Sequence, residues 1–125
     1  MPTILIADDS NTEVHAYSKM LQKHGFDVVV ANDGETAVIA ASEHHPDLIL
    51  MDIVMPGIDG FQATRKITRN PDTSDIPIII ISTKAQQTDK IWGIRQGARD
   101  YLIKPVSENT LIAKIKSILH KPEPQ

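Results

Sequence analysis

Short, wholly apolar runs recur along this chain, and each ends at a residue with chemistry to offer. Ile4-Leu5-Ile6-Ala7 runs into Asp8-Asp9, Leu48-Ile49-Leu50-Met51 into Asp52, Ile78-Ile79-Ile80-Ile81 into Ser82, and Tyr101-Leu102-Ile103 into Lys104. A strand with one face in water alternates apolar and polar residues. A run apolar at every position belongs to a strand covered on both faces, as in a parallel sheet. Helical patterns separate the runs, and regular βα alternation gives a three-layer α/β sandwich with right-handed crossovers. In such sheets ligands lie in the crevice outside the carboxyl ends of the strands. Three acids, a hydroxyl and an ammonium therefore converge on one edge, a set suited to a divalent cation and a phosphoryl group.

The punctuation is consistent with five βα units. Strands are expected at about Thr3 to Ala7, Asp27 to Ala31, from Pro46-Asp47 onward, from Pro77 onward, and at Asp100 to Ile103. Helices are expected at about Thr12 to His24 with Gly25 as C-cap, Glu35 to His44, after the loop Met55 to Gly60 as far as about Arg69, Gln86 to Gln96, and Ser107 to Leu119. In the last, Leu111, Ile112, Ile115, Ile118 and Leu119 form one apolar stripe, and Ser107-Glu108 supply a cap and a first-turn acid. The reading is one domain over residues 1–121, followed by a flexible tail at 122–125.

Composition narrows the classes. With 125 residues and 41% apolar content there is core enough for one domain. A net charge of −3 offers no basic field for nucleic acid, and no run is long enough to cross a bilayer. The absence of Cys excludes disulfides and thiol chemistry, and fits a cytoplasmic location. The five His residues show no paired ligand spacing, so surface and capping roles suit them better than metal.

Among the acids, Asp8, Asp9 and Asp52 would repel one another in a single crevice unless some are protonated or a cation neutralises them. Mg²⁺ suits a few carboxylates, waters and phosphate oxygens, and no His or Cys beside them favours a softer metal. Asp8-Asp9 alone would equally suit capping of the first helix. Asp52 is the candidate nucleophile, since a carboxylate can attack phosphorus to give an aspartyl-phosphate. Lys104 offers a compact charge for an anionic phosphoryl group, and Ser82 a hydroxyl donor. Taken singly, they also read as a solvated lysine and a turn serine.

Together, Asp8-Asp9, the segment Met51-Asp52-Ile53-Val54-Met55-Pro56-Gly57-Ile58-Asp59-Gly60, Ser82, Gly97-Ala98-Arg99-Asp100-Tyr101 and Lys104-Pro105 resemble the receiver domain of two-component response regulators, from residue 3 to about 120. The resemblance implies a flavodoxin-like fold, a doubly wound (βα)5 arrangement with a five-stranded parallel sheet in the order 2-1-3-4-5. It implies Asp52 as phosphoacceptor and Lys104 as the phosphoryl-binding lysine. It also implies a Mg²⁺ site from Asp9, Asp52 and the Val54 backbone carbonyl, with Asp8 acting through water. Ser82 and Tyr101 resemble the hydroxyl–aromatic pair that reports phosphorylation, Tyr101 turning inward as Ser82 is recruited. The implied partners are a histidine kinase or phosphotransfer domain and a downstream protein docking on the fourth helix, fifth strand and fifth helix. The segments Met20 to Phe26, Gly60 to Arg65 and Trp92 to Ala98 further resemble small regulators of type IV pilus twitching motility.

The chain departs from the common pattern at Ser82, where Thr is frequent, and at Thr83, where Ala or Gly is frequent. Thr83, Val54 and Lys84 are expected to tune phosphate lifetime. Trp92 is expected either to flank the partner face or to be partly buried, with Ile91 and Ala98 serving the core. Lys84, Lys90, Arg95 and Arg99 read as a solvated face. With no effector segment after residue 121, output would be a protein contact or a phosphate sink for a sister regulator, not enzymatic turnover. Two rivals remain open. A Mg²⁺-dependent aspartyl-phosphate phosphatase would want an acid where Val54 stands. A pseudo-receiver without phosphorylation would need none of the site residues.

Overall fold

The structure, a computed structural model, describes residues 1–120. The expected tail at 122–125 lies outside the described residues, as does Lys121. Strands β1 (Thr3–Ala7), β2 (Asp27–Ala31), β3 (Leu48–Met51), β4 (Ile78–Ser82) and β5 (Asp100–Ile103) form one parallel sheet in the order β2-β1-β3-β4-β5. Between and after them run α1 (Asn11–Lys23), α2 (Gly34–His44), α3 (Gly60–Arg69), α4 (Gln87–Arg95) and α5 (Glu108–Leu119). This is the flavodoxin-like order expected from the resemblance.

Alternate residues of the central strands feed two separate cores, because successive strand side chains point to opposite faces. Ile4, Ile6, Leu48, Leu50, Ile79 and Ile81 pack against Tyr17 and Leu21 of α1 and Leu111, Ile112 and Ile115 of α5. Leu5, Ala7, Ile49, Met51, Ile78 and Ile80 pack against Ala37 and Ala41 of α2 and Ala63 and Ile67 of α3. Each fully buried Ile or Leu contributes about 1.5–3 kcal/mol, so the strands are held from both sides.

Element boundaries follow local chemistry. Ser10 caps α1, Asp33 caps α2, Asp59 caps α3 and Ser107 caps α5, each side chain accepting from a backbone N–H three residues on. The Asp59–Gln62 pair closes reciprocally at 2.9 Å in both directions. Helix α1 stops at Lys23, and Gly25 (φ +86°) turns the chain through the left-handed region to let Phe26 N–H reach the Leu21 carbonyl at 3.0 Å. Strand β3 begins at Leu48, later than the expected Pro46, since Pro has no N–H for a ladder. Asp47 instead accepts from the Thr3 N–H at 2.7 Å.

One expectation about the core fails. Ile91 is 44% exposed rather than buried, and the α4 residue that faces the sheet is Gly93, against Ile80 and Tyr101. The helix is brought so close to the sheet that Ile91, Trp92 and Ile94 are left on its outside.

Candidate functional site

The chain runs from β1 out to β2, then returns across β1 to β3, so the strand order reverses between β1 and β3. Ala7 and Met51 are register partners there, and the Asp52 N–H donates to the Ala7 carbonyl at 2.9 Å. Asp8 and Asp52 thus leave the sheet side by side, at the switch point where doubly wound folds hold their ligands. Gly60 fixes the far end of the β3–α3 loop. Its N–H donates to the Ile53 carbonyl at 2.8 Å, and a Cβ at this position would lie 1.9 Å from the Asp52 carbonyl oxygen.

Lys104 reaches this pair from the end of β5, its backbone N–H anchored on the Ser82 carbonyl at 2.9 Å. The Lys104–Pro105 peptide that follows is cis. The Lys104 ammonium lies 3.3 Å from Asp52 Oδ1, 3.5 Å from Asp8 Oδ2 and 2.8 Å from Glu13 Oε1. Among the described residues, Asp8, Glu13 and Asp52 bring one carboxylate oxygen each to within 4.8 Å of one another. These are hard oxygen donors around one cation, the donor set that Mg²⁺ takes.

The electrostatics of the cluster follow from burial. Asp8 is 2% exposed, and loss of water lifts its carboxyl to about 6, against the opposing Ser10 N–H at 2.9 Å and with the Asp52 charge adding to the rise. Burial also raises Asp52, with Lys104 pulling the other way. For Lys104 burial disfavours the charge, but the Glu13 hydrogen bond and the Asp52 and Asp8 charges outweigh it and hold the ammonium protonated. Three acids share one resident cation, so the site carries excess negative charge.

The structure brings Asp8, Asp52 and Lys104 together. Asp9 is exposed and does not join that carboxylate group, although it follows Asp8 directly. Ser82 is buried on the neighbouring strand, its Oγ accepting from the Lys84 N–H at 3.1 Å. Tyr101 is already turned inward, 8% exposed, with its hydroxyl donating to the Lys84 carbonyl at 2.8 Å. Ser82 and Tyr101 are thereby joined through the backbone of residue 84. Thr83, Lys84 and Val54 are exposed around the crevice, Val54 at 65%. Trp92 is 48% exposed, which leaves its ring available on α4.

Glu13 is the residue that sequence reasoning missed. Ser10-Asn11-Thr12-Glu13 has the capping-box spacing, in which Glu13 would reach back to the Ser10 N–H. That N–H is already taken by Asp8, and only the forward half forms, Ser10 Oγ accepting from the Glu13 N–H at 3.3 Å. The Glu13 carboxylate is released to turn toward Lys104. The signal lay in the joint spacing of Asp8, Ser10 and Glu13.

The sequence matches the model of the response regulator receiver domain over residues 4–116. It is 56% identical to protein PilH of Pseudomonas aeruginosa over 95% of this chain and 98% of PilH. It is 36% identical to the transcriptional regulatory protein AfsQ1 of Streptomyces coelicolor, covering 98% of this chain and 53% of AfsQ1, so it spans about half the length of that relative. A putative response regulator from Chloroflexus aurantiacus superposes with a TM-score of 0.91 at 32% identity, over 96% of this chain and 98% of that one. The receiver domain of a Pseudomonas aeruginosa sensor histidine kinase, solved with a magnesium ion coordinated in its active site cleft, gives 0.89 at 31% identity, over the same shares of each chain.

Proposed function

This chain belongs to the response regulator receiver family, and we propose that it accepts a phosphoryl group from a histidine kinase or phosphotransfer domain onto Asp52. The observation that carries the reading is the approach of the Lys104 ammonium to 3.3 Å from Asp52 Oδ1, beside buried Asp8 at the switch point of the sheet. In the transfer, an Asp52 carboxylate oxygen forms a bond to phosphorus as the donor's P–N bond breaks. The electron pair of that bond stays on the imidazole nitrogen. Lys104 offsets the charge of the incoming group, and Ser82 donates its hydroxyl to a phosphoryl oxygen.

Asp9, Asp52 and the Val54 carbonyl, with Asp8 through water, would hold Mg²⁺, which when bound neutralises charge on the acids and on the phosphoryl oxygens. The oxygen-only cluster of Asp8, Glu13 and Asp52 and the magnesium in the similar receiver support a Mg²⁺ site at this edge of the sheet, while the places of Asp9 and Val54 in it rest on the resemblance.

Phosphorylation adds about −1.5 to −2 charges and strong acceptors at Asp52. Drawing Ser82 toward them costs its bond from the Lys84 N–H, and Lys84 also carries the Tyr101 hydroxyl. The site is in this way tied to the face formed by α4, β5 and α5, where a downstream protein would dock. The switch is a population shift, limited by how differently the phosphoryl group contacts the two states. The resemblance of the segments Met20 to Phe26, Gly60 to Arg65 and Trp92 to Ala98 to small regulators of type IV pilus twitching motility supports a place in that process, in the cytoplasm. Thr83, Val54 and Lys84 around the crevice would set phosphate lifetime, so Val54→Asn and Lys84→Glu are expected to change the decay rate.

Intact mass after incubation with acetyl phosphate tests the reading. A single phosphoryl adduct that requires Mg²⁺ and is absent in Asp52→Asn is expected. No adduct, together with no Trp92 fluorescence response to beryllofluoride, would leave an interaction module without phosphorylation.

A further inference from the structure

We propose that Glu13 is a positioning residue that competes with the phosphoryl group for Lys104, and so sets how tightly the phosphorylated state is held. The inference rests on the reading of Asp52 as phosphoacceptor. The ammonium is nearer to Glu13, at 2.8 and 3.0 Å from its two oxygens, than to Asp52 at 3.3 Å or Asp8 at 3.5 Å. Glu13 is thus the first partner of the lysine that must serve the phosphoryl group.

An ammonium has three N–H donors, and three carboxylates surround this one. Phosphorylation turns the Asp52 carboxylate into an acyl phosphate whose phosphoryl oxygens lie beyond Oδ1, so the ammonium has to advance toward them and draw away from Asp8 or Glu13. The Asp8 side chain is 3% exposed, and leaving it unpaired would strand a charge away from water. The Glu13 side chain is 36% exposed, so water can replace the ammonium when it lets go. Glu13 is therefore the partner released, and breaking its contact is subtracted from what the phosphoryl group gains from Lys104.

The local structure keeps this competitor in place. Capping of α1 by Ser10 fixes the Glu13 backbone in the first helical turn, and occupation of the Ser10 N–H by Asp8 removes the alternative partner of the carboxylate. Only the Glu13 backbone N–H serves the cap, so its side chain can be changed without removing the cap.

The test is calorimetric binding of beryllofluoride, a phosphoryl analogue, at saturating Mg²⁺ to wild type, Glu13→Gln and Glu13→Asp. Glu13→Gln removes the negative charge and leaves only a weaker amide acceptor for the ammonium, and affinity is expected to rise about three- to tenfold. Glu13→Asp keeps a negative charge near the site but shortens the reach by one methylene. If competition for Lys104 operates, Glu13→Asp will approach Glu13→Gln, with unchanged unfolding midpoints. Equal or weaker binding by Glu13→Gln would overturn the proposal. So would a Glu13→Asp affinity equal to wild type, which would mean that only the field of the charge matters. Failure of the folded wild type to bind beryllofluoride would instead refute the Asp52 reading, and this inference with it.

Discussion

The carboxyl edge of the sheet and the outer face of α4 break opposite rules. At the edge, Asp8, Asp52 and Lys104 are charged groups held largely away from water. On α4, Ile91, Trp92 and Ile94 are apolar groups held in it, at 44%, 48% and 49% exposure. Buried charges must be paired, and the edge pairs them internally around one ammonium. Exposed apolar side chains can be covered only by something outside the molecule. The first departure suits the proposed reaction site and the second the proposed docking surface. Tyr101 lies between them, beneath Gly93 of α4 and bonded to the Lys84 carbonyl beside Ser82.

The contrast is broken most severely at Gly60. A Cβ there meets the Asp52 backbone at 1.9 Å, and neither that backbone nor its neighbours can retreat through a close-packed core. Gly60→Ala is expected to cost about 3 kcal/mol in denaturant unfolding and to depress phosphoryl adduct formation. A surface glycine such as Gly57, with open space around it, cannot serve as the same test because its φ is +76°.

A smaller effect sharpens the electrostatic half. The Asp8 carboxyl sits near 6 in the folded protein against its ordinary 3.8. The folded state binds more protons across that window, so this residue subtracts from stability increasingly as pH rises from about 4 to 6, and fully above. In metal-free protein, Asp8→Asn should therefore be more stable than wild type by about 2 kcal/mol at pH 7.5, with the difference fading near pH 4. A stability gain equal at both pH values would contradict burial of a charge as the cause.

The smallest effect belongs to α4. Trp92→Ala should change folding stability by about 0.5 kcal/mol or less, as exposed substitutions do, while weakening capture of the downstream partner. Loss of stability with partner affinity intact would make the ring a packing element.

The sheet was legible because β3 is apolar at every position and β1 and β4 at all but one terminal residue each, a pattern that only coverage on both faces explains. Their spatial order is not encoded in periodicity and came from resemblance. Asp8, Asp52, Ser82 and Lys104 were legible because strand ends project chemistry to one edge. Glu13 was not, since its spacing from Ser10 alone reads as a capping box, and only the further spacing of Asp8 from Ser10 shows that the Ser10 N–H is already taken. Ile91 was misplaced because α4 carries apolar residues around its circumference, and the close approach at Gly93 decides which side is buried.

The most direct measurement of the central claim is reduction of the acetyl-phosphate-treated protein with borohydride, followed by peptide mass mapping. An aspartyl-phosphate is converted to homoserine, and the expected result is that conversion at position 52 alone, dependent on Mg²⁺. Conversion at Asp8 or Asp9, or a phosphoryl adduct that leaves position 52 as aspartate, would contradict it.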